Sequence, residues 1–208
     1  MQKVDIFEKK ASEYDKWFDK HRNLFLSELK ALRKAIPENK SGIEIGVGTG
    51  RFAEKLSIKR GLDPSKEMAR IANGKGIKTV IGKAENMPFK NNTFDYAVMI
   101  TVDCFLENIL KAFREVNRII KPGGSFIIAL IDKNSPLGKI YQEKKKDNPF
   151  YKHASFHSAE EISELLNKAG FKNIKYWQTL ISNSDSSIEE PIEGYGEGGF
   201  VVIKASMN

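Results

Sequence analysis

The sequence predicts an α/β fold, doubly wound around one mostly parallel sheet, and three observations carry that prediction. From residue 42 to 131 short apolar runs alternate with short helical patterns, joined by brief connections. The run "SFIIALI" at 125–131 is apolar without a break, as in a strand buried on both faces. The last two apolar runs, 171–181 and 199–205, have no helix between them and should therefore pair antiparallel. Seven strands are expected, the last antiparallel, with helices on both faces.

Each element has its own local reason. Phe7, Ala11, Tyr14 and Phe18 are spaced 4, 3 and 4 apart, and so are Phe25, Leu29, Leu32 and Ile36; two amphipathic helices result, the second ended by Pro37 and Asn39. "GIEIG" (42–46) reads as the first strand, 51–56 as a short helix and "IKRGLD" (58–63) as the second strand. A helix over 65–73, a strand at 77–81 and a strand at 94–101 follow. Leu106, Leu110, Phe113, Val116 and Ile120 mark a helix stopped by "KPGG", and 125–131 is the fifth strand. Ser158 and Glu161 form a capping box for a helix that ends at Gly170, and the two final strands close the sheet.

In such a sheet ligands bind beyond the carboxyl ends of the strands. That rule gathers the loops 46–50, 63–65, 82–88 and 101–106 on one edge, together with the longer loops 132–157 and 182–198. The last of these, "SNSDSSIEEPIEGYGEG", is polar, acidic and glycine-rich, and reads as a hairpin tip or a cover on that edge.

The bulk numbers narrow the function. With 208 residues, 40% hydrophobic, the chain is long enough for one well-buried domain, and no repeat or domain-scale linker interrupts it. No apolar run approaches a membrane span, and "MQKVDIFEKK" lacks the apolar segment of a secretory signal. The single cysteine, Cys104, rules out an internal disulfide framework and suits a reducing compartment; a cytoplasmic protein is expected. The net charge of +7 is scattered as single lysines and Lys–Glu mixtures apart from "EKKK" at 143–146, which describes a solvated surface rather than a nucleic-acid footprint. Abundant Lys and Glu with one Cys also match thermophile compositions.

The stretch "SGIEIGVGTGRF" (41–52) poses the chemical question. A P-loop needs Gly-Lys followed by Ser or Thr, and Gly-Lys at 74–75, 82–83 and 138–139 is never so followed. Gly46, Gly48 and Gly50 are spaced two and two, which departs from the dinucleotide spacing Gly-x-Gly-x-x-Gly. A glycine-rich strand-to-helix turn can be purely structural. Asp63 adds weight: it ends the second strand, where a carboxylate can accept both hydroxyls of a ribose. Its alternative, capping the next helix, is open to Ser65 as well.

With "GLDPSKEM", "AENMPF", "FDYAVM" and "KPGG" following "EIGVGTGRF" in order, the chain resembles the class I S-adenosylmethionine-dependent methyltransferases, particularly the small-molecule branch that includes ubiquinone- and menaquinone-type enzymes. The resemblance runs from "ASEYDKWF" at 11–18 to "SFHSAEEISELLNKAGF" at 155–171 and implies a Rossmann-like fold with S-adenosyl-L-methionine as cofactor. It implies that 1–38 forms a helical lid, 40–131 the cofactor-binding core, and 132–157 and 182–198 the acceptor-side loops. Gly46, Gly48 and Gly50 match the glycine loop that lets the cofactor approach backbone, and Glu44 its acidic residue, suited to the cofactor's ammonium. Asp63, with Pro64 beside it, matches the ribose position; Ala84 and Glu85 match the adenine pocket, with Met68 as an apolar wall and Thr101 at the end of the fourth strand. The family often has aspartate before the alanine; here Lys83 stands there and cannot accept a hydrogen bond. Tyr14 and Trp17 match a segment that folds over the site, where aromatic rings favour a sulfonium cation and exclude water.

The expected chemistry is in-line attack on the sulfonium methyl, which needs alignment more than acid–base help. No catalytic base is assigned. Trp17, Cys104, Phe105, His153 and His157 are candidates for the acceptor pocket, although His157 reads better as a structural residue before a cap and Cys104 as a small buried hydrophobe. Three histidines and one cysteine offer no metal cluster. "TVDCF" lacks the prolines of base-flipping amino-methylating enzymes, so a small-molecule acceptor is expected rather than nucleic acid. A non-catalytic cofactor-binding protein, or an RNA or protein methyltransferase, is the alternative.

Overall fold

The computed structural model describes residues 2–182 and 184–207, with the side chains of 2–4 left aside. Eight strands form one sheet: β1 (Gly42–Ile45), β2 (Arg60–Asp63), β3 (Lys78–Ile81), β4 (Phe94–Ile100), β5 (Ile120–Ile131), β6 (Phe171–Thr179), β7 (Ile192–Glu193) and β8 (Phe200–Met207). Their order is β3-β2-β1-β4-β5-β8-β6-β7. The first five pair in parallel, and β8 inserts antiparallel between β5 and β6. Seven strands are those expected from the sequence. The eighth, β7, is a two-residue edge strand inside the acidic loop, too short to leave an alternating pattern.

The helices are α1 (Gln2–Lys9), α2 (Ala11–Lys20), α3 (Arg22–Ala35), α4 (Arg51–Lys55), α5 (Lys66–Gly74), α6 (Ile109–Ile119), α7 (Pro136–Lys144) and α8 (Ala159–Lys168). Where two N-terminal helices were expected there are three. The chain leaves helical geometry at Lys10 (φ −121°, ψ 26°) while the spacing of Phe7, Ala11, Tyr14 and Phe18 runs on, so periodicity could not see the break. The loop 132–157 contains α7, whose cap is Ser135 and whose first residue is Pro136. The capping box at Ser158 and Glu161 forms as expected, and Gly170 turns the chain at φ +94°.

Two cores cover the sheet. One packs Ile43, Ile45, Phe126 and Ile128 against Phe113 and Val116 of α6 and Ile162 and Leu166 of α8. The other packs Val98, Ile127 and Val202 against Phe25, Leu29 and Leu32 of α3 and Phe52 of α4. The strand order reverses at β1 and β4, so a crevice opens where their carboxyl ends diverge.

Candidate active site

Asp63, the last residue of β2, organises the crevice. Its Oδ2 accepts from the Gly48 amide at 2.8 Å and its Oδ1 from the Ser65 amide at 2.9 Å. Burial pushes its carboxyl up to about 6 against the pull of those two amides. With one amide donor on each oxygen, the carboxylate has acceptor capacity left, and it lines a cavity of about 140 Å³ with Gly46, Gly48, Pro64 and Met68. The capping alternative is settled: Ser65, not Asp63, caps α5 by accepting from the Met68 amide at 3.1 Å. Gly48 adopts φ +53°, which lets its amide turn onto Asp63. Gly50 serves packing instead, because a Cβ there would lie 2.4 Å from Ile77 Cδ1.

The opposite walls of the same cavity are Ala84, Glu85 and Lys83 after β3, and Ile100, Thr101, Val102, Phe105 and Leu106 after β4. Lys83 is paired with Glu107 at 3.2 Å, and Glu85 Oε1 accepts from the Glu107 amide at 2.9 Å. The Glu85 carboxylate is therefore tied through Oε1 to the turn before α6. An aromatic roof closes over this cavity. Phe7 lies 5.1 Å from Phe105 and 5.7 Å from Tyr14 between ring centroids, and Tyr151 stacks on Phe105 at 5.8 Å. Next to Phe7 in α1, Glu8 accepts from the Ser65 hydroxyl at 2.6 Å, fastening that helix to the start of α5.

A second cavity, about 80 Å³, adjoins the first. Tyr14, Thr101 and Tyr151 line both, so these three residues form the junction. Thr101 holds φ +52°, a conformation costly for a residue with a branched Cβ, and its amide donates to Ala129 at 2.7 Å. The remaining walls are Trp17, Phe18, Phe52, Tyr141, Phe150, Ile131, Asn148 and Glu28. Asn148 Oδ1 accepts from the Phe150 and Tyr151 amides at 2.9 and 3.3 Å, a turn that presents both rings to the cavity. Helix α2 is held in place by Arg51, which donates to both Asp15 and Asp19, while Lys75 pairs with Asp15 at 2.7 Å. Burial alone would raise the Asp15 carboxyl, yet these cations hold it at about 2.

Of the residues singled out in the sequence, Tyr14, Gly46, Gly48, Asp63, Pro64, Met68, Ala84, Glu85 and Thr101 come together on the first cavity. Phe105 joins them there rather than on the second cavity, where Trp17 lies. Glu44 lines neither. It is buried beneath the glycine loop, its Oε2 has no hydrogen-bond partner among the described residues, and burial next to Asp63 raises its carboxyl well above the usual range. Cys104 is buried with its Sγ 3.6 Å from the Thr101 carbonyl, outside both cavities. His153 is exposed on the surface, and His157 pairs through Nδ1 with buried Asp103 at 3.0 Å, tying the segment after β5 to the turn after β4.

Glu28, Tyr141, Phe150 and Tyr151 were not singled out in the sequence. A signal existed for Glu28: it sits three residues after Phe25 on the apolar face of α3, where a solvated carboxylate does not belong. The aromatic residues of 141–151 carried none, because their placement depends on how α7 packs. Among the described residues, no group of three His, Cys, Asp or Glu could hold a metal ion, and no helix is long and apolar enough to cross a membrane.

Comparison with known proteins fits this geometry. The family model described as "Methyltransferase domain" matches residues 18–176. An uncharacterised protein of Methanocaldococcus jannaschii is 50% identical over 203 residues, covering 97% of this chain and 98% of its own. A crystal structure from Thermotoga maritima, described as a SAM-dependent methyltransferase and possible histamine N-methyltransferase, superposes with a TM-score of 0.95 at 46% identity, over 99% of this chain and 100% of that one. More distant is the demethylmenaquinone methyltransferase of Staphylococcus saprophyticus, 25% identical over 212 residues, 82% of this chain and 88% of its own.

Proposed function

Because this chain belongs to the methyltransferase-domain family and is an S-adenosylmethionine-dependent methyltransferase, we propose that it transfers the methyl group to a small molecule held in the second cavity. The larger cavity takes the cofactor, and the residues around Asp63 fit that group. Asp63 accepts the two ribose hydroxyls, its free lone pairs being the polar feature of a largely apolar wall. Met68, Leu62 and Leu106 flank the adenine, with backbone at Ala84 and Glu85 replacing the acceptor that Lys83 cannot provide. Glu44, with its orphaned Oε2 and a carboxyl that burial beside Asp63 holds well above the usual range, stays behind the glycine loop as a neutral buried dipole.

When bound, S-adenosylmethionine supplies a methyl on cationic sulfur: an acceptor lone pair forms the new bond to carbon, and the carbon–sulfur electron pair stays on sulfur, leaving a neutral thioether. The protein then has to align two reactants and keep water out. Tyr14, Thr101 and Tyr151, shared by the two cavities, guide the acceptor toward the methyl. Phe7 and the other roof rings exclude solvent, so residues 1–38 act as the lid, 40–131 as the cofactor core, and 132–157 as the acceptor side. The loop 182–198 ties onto the first of these segments: the Leu24 amide donates to Asp185 at 3.0 Å and the Glu189 amide to the Ser27 hydroxyl at 2.8 Å.

The observation that carries this reading is the doubly engaged Asp63 carboxylate on a cavity continuous with a second, aromatic one. Isothermal titration with S-adenosylmethionine and S-adenosylhomocysteine, with NAD as control, tests it. Micromolar binding of the two sulfur ligands and none of NAD is expected. Failure of both sulfur ligands to bind folded protein would overturn it.

A further inference from the structure

Glu28 is the anomaly of the second cavity. It is 6% exposed, and no described residue offers it a hydrogen bond or an opposite charge. Burying an unsatisfied carboxyl is destabilising, and an apolar residue would avoid that cost, as Phe25, Leu29 and Leu32 do in the buried core of the same helix. The Arg51 guanidinium, which lies 5.9 Å over the Phe18 ring of the same cavity, is already taken by Asp15 and Asp19. Tyr14, Trp17, Tyr141 and Phe150 line the same cavity. An aromatic box with one carboxylate at its wall is complementary to a compact organic cation.

We propose that Glu28 is the carboxylate partner of a small cationic amine, and that this amine is the methyl acceptor. The inference rests on the methyltransferase reading above and deepens it. Burial pushes the Glu28 carboxyl up to about 8, so it is mostly protonated in the empty protein near neutral pH. The phenols that sense its charge do not compete for the proton: burial holds Tyr14 and Tyr151 well above the usual phenol range, and Tyr141 at about 12. An incoming ammonium brings one proton more than the pair can share, so one proton leaves to solvent on binding. The pair then holds either ammonium and carboxylate, or free amine and carboxylic acid. The second arrangement exposes the nitrogen lone pair, which is what methyl transfer requires. The methylated nitrogen leaves as a cation and Glu28 keeps its proton, which restores the empty site; the one proton that the overall reaction releases is the one lost on binding. Glu28 is thus both anchor and proton acceptor for the substrate nitrogen.

The test uses the full chain saturated with S-adenosylhomocysteine and titrated with butylamine, benzylamine and phenethylamine, each beside its alcohol counterpart. At least one amine is expected to bind well ahead of its alcohol, with close to one proton released near pH 7, read from titration enthalpies in two buffers of different ionisation heat. In Glu28→Gln that amine should weaken by roughly 30-fold or more, with proton release lost and S-adenosylhomocysteine affinity kept. Equal binding of amines and alcohols, or proton release near zero in the wild type, would overturn the proposal while leaving the methyltransferase reading intact. Absence of S-adenosylhomocysteine binding in the wild type would instead sink that reading and this one with it. Should Glu28→Gln not fold, the wild-type proton count decides alone.

Discussion

The two cavities are built in opposite ways. Beneath its aromatic roof, the first takes most of its walls from the ends of β1 to β4 and the segments that follow them, so most of its residues are placed by the strand they follow. The second takes Trp17 and Phe18 from α2, Glu28 from α3, Phe52 from α4, Ile131 from the end of β5, Tyr141 from α7, and Phe150 and Tyr151 from the segment after it. One is a property of the sheet; the other is a property of what packs around the sheet. The difference teaches that cofactor binding and acceptor choice are separable here: the peripheral helices can change without disturbing Asp63, provided the Arg51–Asp15 pair still seats α2.

The largest effect should fall on the strand-end cavity. Asp63→Ala is expected to weaken S-adenosylhomocysteine by roughly 100-fold or more, the loss of two charge-assisted hydrogen bonds, with circular dichroism unchanged. Unaltered affinity would remove the ribose assignment and, with it, the basis of the comparison. Trp17→Ala should act the other way round, raising the acceptor KM about tenfold while S-adenosylhomocysteine titrates as in the wild type. Parallel losses in both readouts would mean that the two cavities behave as one.

Acidity separates them further. With the Asp63 carboxyl near 6, affinity for S-adenosylhomocysteine should be flat above neutral pH and fall as pH drops through about 6, approaching tenfold per pH unit once the carboxyl is protonated. Stability of the free protein should move oppositely. A folded-state value raised above the unfolded one means that the folded chain binds more protons in that window, so Asp63 favours folding more as pH falls through it. Titrations and melting curves between pH 5 and 8 would check both signs, and Asp63→Asn should flatten each. The smallest effect is expected at Glu8→Ala, whose exposed contact to Ser65 should change S-adenosylhomocysteine affinity by about threefold or less, because the Ser65 cap on α5 survives. A larger loss would show that α1 belongs to the cofactor wall as firmly as the strand ends do.

Legibility followed the same division. Gly48 and Asp63 could be read because a glycine after a strand and a carboxylate at the end of the next are short-range patterns whose meaning the parallel sheet fixes. The capping box at Ser158 was readable for the same reason. The third N-terminal helix was not, since the break at Lys10 keeps the apolar spacing in phase. Glu44 was read as facing the cofactor, but the alternation of a strand decides only which face a side chain takes, not what covers that face; here the start of α4 covers it, with the Ala53 amide hydrogen-bonded to its carboxylate. His153 and His157 were grouped by proximity in sequence, yet one is exposed and the other is spent on Asp103.

By itself, then, the sequence determined the doubly wound sheet, the set of strand-end loops that share one edge, and the glycine loop and Asp63 among them, because these follow from periodicity and from the conformational reach of single residues. Only the tertiary structure decided that Phe7 and Tyr151 roof one cavity, that Thr101 stands at the junction in a left-handed turn, and that Glu28 points without a partner into a box of rings. Those placements come from contacts between segments far apart in the sequence, as between Thr101 and Ala129 or between Tyr14 and Phe150. Long-range packing leaves no local pattern to read, and it is where this protein's choice of acceptor resides.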